Sequence, residues 1–194
     1  MKKQPQENRT RALSREPLRR RYRPVRVRIL FVGEAPPASG RFFYQADSGL
    51  YRAVRGTFIR ALPALERRDF LKSFRSLGCY LVDLCGKPVD RLVPKDRRNA
   101  CIDGEARLSA MIRRLRPMAV VTLVRSIAPN VRRALRRAKW EGRYIEVPYP
   151  GRWLRHRIEF EKQIVGFLQT LNSIDGKNSW RKLASHGRVL EETV

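Results

Sequence analysis

"RILFVGEAPPASGRFFY", residues Arg28–Tyr44, decides how this chain is organised. It opens with a short apolar, β-branched and aromatic run that ends at Gly33, the pattern of a buried strand. The strand runs straight into Gly33-Glu34-Ala35-Pro36-Pro37, a stiff turn carrying one carboxylate. Three aromatic residues, Phe42, Phe43 and Tyr44, follow directly after Gly40-Arg41. A strand end with a carboxylate, a rigid turn and clustered rings describes the floor and wall of a pocket.

Three more strands follow from the same pattern. They are "CYLVDLC" (Cys79–Cys85), "MAVVTLV" (Met118–Val124), which is apolar on both faces, and "RYIEVPYP" (Arg143–Pro150). Helical spacing lies between and after them. Leu50, Val54 and Phe58 share one face over Gly49–Arg60, and a short helix spans Asp69–Leu77. The polar, proline-containing "GKPVDRLVPKDRRNAC" (Gly86–Cys101) is expected to be a connection, with a helix over Gly104–Pro117 capped by Asp103 and stopped by Pro117. Further helices are expected over Pro129–Trp140 and Glu159–Leu171.

Strands and helices alternate, which predicts a three-layer α/β/α sandwich around a four-stranded parallel sheet. In such sheets the site lies beyond the carboxyl ends of the strands. Three segments occupy those ends: "GEAPP" (Gly33–Pro37), "DLCGKP" (Asp83–Pro88) and "PYPGRW" (Pro148–Trp153). Residues 1–24 are polar, basic and without period, and are expected to form a disordered arm. The domain is expected over 25–172, with a weakly structured tail over 173–194.

The chain has 194 residues and a formal net charge of +25, from 43 Lys and Arg against 18 Asp and Glu. Such an excess points to a polyanionic partner, DNA foremost and RNA as the alternative. The arm tracks phosphates or serves as a solubilising leader. The longest apolar runs are too short to span a bilayer, so no membrane partner is expected. Three cysteines, an odd number, suggest reduced thiols and a cytoplasmic protein, on the nucleoid when bound to DNA. The arginine-rich start offers only a minor case for a transit peptide. No P-loop, dinucleotide loop or Gly-x-Ser-x-Gly elbow is present. Two histidines and unpaired cysteines make no zinc site, so neither metal nor cofactor is expected. A monomer is expected.

From about Arg28 to Leu171 the chain resembles the uracil-DNA glycosylase superfamily, most of all its iron–sulfur, thermophile-type branch. "GEAPP" stands where that branch has Gly-Glu-Ala-Pro-Gly, and "GRFF" (Gly40–Phe43) where it has Gly-Arg-Pro-Phe. "VVTLVRSIAPNV" (Val120–Val131) matches a later strand end and helix. "YPGRWLR" (Tyr149–Arg155) takes the place of a His-Pro-Ser loop followed by an arginine. Tyr149 therefore stands at the histidine position. On the second strand Leu81 stands where the asparagine that pairs with uracil is expected, and the polar strand-end residue is Asp83. Cys85 and Cys101 keep the spacing of that branch's second cysteine pair, but no cysteine precedes Cys79, so an intact four-cysteine cluster is not expected. Both are otherwise ordinary small core residues.

The resemblance implies a glycosylase that breaks the N-glycosidic bond of a flipped, deaminated base during DNA repair. The alternatives are a relative that binds nucleic acid with weak or no turnover, and a basic RNA- or ribosome-associated protein on the same scaffold. Glu34 would stabilise the oxocarbenium-like sugar or orient a water; otherwise it is a turn carboxylate bonded to backbone N–H groups. Tyr149 would donate to the departing base, or it merely packs; Arg152 or Arg155 could supply positive charge instead. His156 is a weaker substitute. Phe43 would stack on the base, with Pro36, Phe42 and Tyr44 beside it. Asp83 would read a base edge that donates, as cytosine or adenine offers, since an ionised carboxylate only accepts; otherwise it serves as a structural cap. Trp153 or Leu154 would wedge into the base stack, with Arg152 and Arg155 clamping phosphates; alternatively, Trp153 packs on the last helix. Arg132, Arg133, Arg136 and Arg137 form a solvated face that also touches phosphates.

Overall fold

The structure is a computed structural model that describes residues 15–151 and 153–174. Four strands, β1 (Ile29–Gly33), β2 (Cys79–Asp83), β3 (Ala119–Thr122) and β4 (Arg143–Glu146), pair in parallel in the order β2-β1-β3-β4. In register, Ile29 of β1 faces Cys79 of β2 on one side and Ala119 of β3 on the other. Every residue of β1, β2 and β3 is buried, as strands covered on both faces must be. Among the described residues six α-helices accompany them: α1 (helical over the described residues 15–21), α2 (Gly49–Ala61), α3 (Phe70–Ser76), α4 (Pro94–Leu115), α5 (Ala128–Arg137) and α6 (Leu154–Ile174). The α/β architecture expected from the alternation is what the chain adopts.

The pleat divides the core. Phe31 of β1 meets Phe58 of α2 and Phe74 of α3, with ring centroids 6.1 and 5.5 Å apart. Phe70 closes this cluster against Phe58 and Phe74. Burying each such ring contributes about 1.5–3 kcal/mol. Helices α2 and α6 pack on one another, and so do α4 and α5. Between α4 and α5, the buried Glu105 accepts from Asn130 Nδ2 at 2.7 Å and from Arg133 Nη2 at 2.6 Å. Short polar caps start α2 and α3: Ser48 Oγ accepts from the Tyr51 N–H, and Asp69 Oδ1 from the Lys72 N–H.

Three expectations change. Helix α4 begins at Pro94, so Asp103 lies inside the helix and caps nothing. Pro94 sits in the first turn, where its missing N–H has no consequence. The start escapes a periodicity argument because residues 94–99 are all exposed. The basic arm also differs from its expected disorder: residues 15–21 are helical, and Arg15 and Arg19 are buried. Residues 1–14 of the expected arm and the expected tail beyond Ile174 lie outside the described residues. Helix α6 starts at Leu154, five residues before the periodic run suggested. Among the described residues no helix is long and apolar enough to cross a membrane.

Candidate functional site

The backbone brings the first two strand ends together. Beyond the paired residues the ladder continues: Leu84 N–H bonds Gly33 C=O at 2.8 Å, and Cys85 N–H bonds Glu34 C=O at 2.7 Å. This pins the GEAPP turn to the end of β2 and aims Glu34 across the top of the sheet. Gly40, at φ +87°, takes the left-handed turn that returns the chain into Phe42 and the short 3₁₀ turn Phe43–Gln45. A cavity of about 320 Å³ results at the carboxyl ends of the strands. Its lining includes Glu34 and Pro36 after β1, Phe42 and Phe43 from the aromatic segment, Leu81 and Asp83 from β2, Leu123 after β3, and Tyr149 after β4. All three segments singled out in the sequence contribute to it.

Glu34 is the best-defined group. Its Oε1 accepts from Arg97 Nε at 2.5 Å, and its Oε2 is paired with Arg97 Nη2 in the same fork. The Glu34 side chain is 14% exposed and that of Arg97 44%. The pairing raises the Arg97 pKa. Arg97 reaches the site because α4 starts early and because Gly104 lets α4 lie directly against the Leu84 carbonyl. Sequence reasoning missed this arginine. The available signal was Pro94 as a first-turn residue, which would have put Arg97 and Cys101 four apart on one helical face.

Phe43 lines the cavity but is also a core residue, with ring contacts to Tyr44, Tyr51 and Phe74 at 5.1, 5.9 and 5.4 Å. Tyr44 is core outright. Its hydroxyl donates to Leu81 C=O at 3.1 Å and accepts from Leu81 N–H at 2.7 Å, covering the outward backbone groups of the edge strand β2. Burial pushes the Tyr44 phenol well up, so it stays neutral. Asp83 is 8% exposed and ion-paired to Arg19, with Nη2 to Oδ2 at 2.5 Å. Its backbone carbonyl, with that of Leu84, accepts from Arg107. The Asp83 side chain caps no helix.

Tyr149 stands at the cavity wall, 46% exposed, and partial desolvation raises its pKa, so it is a neutral donor. Its ring lies on Gly151, where a Cβ would come within 2.6 Å of two ring carbons. Trp153, Leu154 and Ile158 are 58, 66 and 59% exposed, an apolar group at the start of α6. Arg155 is exposed beside them; Arg152 lies outside the described residues. His156, on the first turn of α6, is not among the cavity-lining residues. On α5, Arg132 pairs with Glu146 and Arg133 with Glu105, while Arg136 and Arg137 are exposed.

The three cysteines are free and buried. Cys85 and Cys101 touch, Sγ to Sγ 3.6 Å, with Cys101 Sγ 4.0 Å from Glu34 Oε1. Cys79 begins β2, at the far end of that strand. Three thiols divided in this way do not fit a four-thiolate cluster. Among the described residues no group of three or more His, Cys, Asp or Glu side chains is placed to hold a metal ion.

No curated protein gives a significant match to the chain. A family model described as the uracil DNA glycosylase superfamily matches residues 20–172, which takes in every strand, α2 to α5, nearly all of α6 and the whole cavity. A parallel β2-β1-β3-β4 sheet, a cavity above its strand ends and this match agree: the chain belongs to the uracil DNA glycosylase superfamily.

Proposed function

We propose that the protein is a DNA glycosylase that hydrolyses the N-glycosidic bond of a flipped, deaminated base. The observation that carries this is the Glu34 carboxylate on the wall of a base-sized cavity, oriented by the Arg97 fork. In the reaction a water oxygen bonds to the sugar C1′ as the C1′–N bond breaks and its electron pair moves onto the base. Glu34 orients the water, takes its proton, and faces the positive charge that develops on the sugar. Phe43 and Phe42 supply apolar faces for the extruded base. Tyr149 donates its O–H to the departing base, in the position where the superfamily resemblance implies a histidine. A phenol is the weaker donor, and losing one good donor of this kind slows turnover by about a hundred- to a thousandfold. Exposed Trp153 and Leu154 wedge into the duplex, and arginines such as Arg155 hold its phosphates.

One feature favours a second reading, a relative that binds nucleic acid without turnover. Leu81 gives the cavity an apolar side chain where the resemblance implies an amide. The two readings separate on oligonucleotides carrying uracil, hypoxanthine, xanthine or no lesion, single- and double-stranded, incubated with excess protein and cleaved with alkali. Lesion-dependent breaks absent with Glu34→Gln support the glycosylase. Intact strands with binding retained support the second reading.

A further inference from the structure

The end of the sheet opposite the cavity carries a groove of about 610 Å³, between the chain entering β1, the turn into β2 and the last turns of α3. Five of its lining residues are cations, Arg21, Arg26, Arg28, Lys72 and Arg75, and none is a carboxylate. Asp69, outside the lining, pairs with Lys72 at 4.0 Å. Among the described residues Arg21, Arg26 and Arg75 have no carboxylate partner. Lys72 and Arg75 stand three apart on one face of α3, so both reach the same rim.

The backbone is shaped to hold these charges together. Gly78, at φ +75°, turns the chain from α3 into β2. A Cβ there would come within 2.7 Å of Arg28 Cγ and 2.9 Å of its Cδ, so only glycine lets the Arg28 stem lie across the turn. The Arg28 N–H bonds Gly78 C=O at 2.8 Å and fixes the crossing. Burial lowers the Arg28 pKa; Cys79 opposes this, and Arg26 lowers it further. Like charges gathered in a partly desolvated groove repel one another, and a polyanion relieves that repulsion. Tyr22 also lines the groove, its ring stacked on Tyr44 at 5.6 Å. A cationic groove with an aromatic side chain is the arrangement that tracks a single strand without reading its sequence.

The groove lies far from the cavity. Strand β1 has five residues, about 17 Å at the usual rise, and separates the two. No residue lines both. A nucleotide held in the cavity therefore cannot also fill the groove. We propose that the groove is a second DNA-binding site, which holds the phosphate backbone of a single-stranded segment remote from the cavity. Groove and cavity open at opposite ends of the strands, so one chain holds two segments at once. This simultaneous hold rests on the reading of the cavity as a DNA site; the groove itself does not.

The test replaces three exposed groove cations together, Arg26→Gln, Lys72→Gln and Arg75→Gln, none of which lines the cavity. Lys139→Gln, Arg143→Gln and Lys162→Gln remove the same charge from exposed positions near β4. Binding of a lesion-free fluorescent single strand is followed by anisotropy over a range of salt. Each lost phosphate contact lowers the slope of log K against log salt by about 0.7, so the groove variant's slope is expected to fall by about 2. Its affinity at about 150 mM salt is expected to fall by about tenfold or more, while the β4-side variant binds like the parent. If the triple variant fails to fold by circular dichroism, Arg75→Glu alone is the test, with a slope loss of about 1 or more expected. The simultaneous hold is read in a Glu34→Gln background, so that turnover does not intrude. Protein on a bead-bound duplex with one uracil is expected to retain a free labelled single strand, and the groove variant to lose that strand while keeping the duplex. Slope and capture unchanged in the groove variant, or reduced equally in the β4-side variant, overturn the proposal. Base release from a short uracil-bearing strand saturated with protein, with Glu34 intact, is expected to match in groove variant and parent. No release by either removes the glycosylase and leaves the groove standing, whereas release lost only in the variant overturns the groove's independence from the cavity.

Discussion

Gly104→Ala is the substitution whose sign depends most on the observed packing. In an isolated helix the change would stabilise by about 1 kcal/mol, because alanine is the better helix former. Here a Cβ at residue 104 would sit 2.2 Å from the Leu84 carbonyl oxygen and 3.0 Å from its carbonyl carbon, both backbone atoms. An ordinary carbon–oxygen contact is about 3.3 Å, so α4 must retreat by about 1 Å. Overpacking of this kind costs about 1–3 kcal/mol. With the upper end appropriate to a backbone clash, the net loss is about 2 kcal/mol, or about 4–8 °C in Tm. The retreat also carries Arg97 away from Glu34, and a misplacement of about 1 Å lowers a rate about a hundredfold. Gly56→Ala in α2 is the matched control. Nothing lies within 4 Å of its Cβ position, so it should gain about 0.5–1 kcal/mol. Urea melts of the three proteins decide the matter. A Gly104→Ala chain as stable as the parent would refute the docking of α4 on Leu84.

Glu105→Gln should lose about 1–2 kcal/mol at pH 7, a figure reduced because the Arg133 side chain is 44% exposed. Burial works against the Glu105 charge, but Arg133 and Asn130 outweigh it and hold the carboxyl below its usual range. That contribution is complete above the unfolded pKa of about 4.3 and fades as pH falls through the folded value, so urea melts should bring variant and parent together in acid. Burial pushes the Cys85 thiol up to about 12 and raises Cys79 and Cys101 as well. At pH 8 the native thiols should alkylate more than about a hundredfold more slowly than in urea, as counted by mass spectrometry. Trp153→Ala with Leu154→Ala should weaken binding to duplex by about tenfold and leave single-stranded binding nearly unchanged, because only the duplex needs a step opened.

The sheet was legible because β1, β2 and β3 are buried on both faces and therefore appear as unbroken apolar runs. The three strand-end segments followed from topology alone. What the sequence hid was charge pairing. Arg19 and Asp83 are 64 residues apart, and Arg97 and Glu34 63, in a chain where arginine is common enough that no single one stands out. The first turns of α4 bury nothing apolar, so they left no period. The aromatic segment was legible as a cluster but not in its division of labour, since only packing separates Tyr44, bonded to Leu81, from Phe43 at the cavity.

Direct detection of the released base is the most searching measurement. An oligonucleotide with a single hypoxanthine or uracil is held with excess protein, and the small-molecule fraction is read by mass spectrometry. The account predicts free base in a one-to-one ratio with abasic strand, and none with Glu34→Gln although that protein still binds. Base release at the same rate from Glu34→Gln, or no release by the parent from any deaminated substrate, would contradict it.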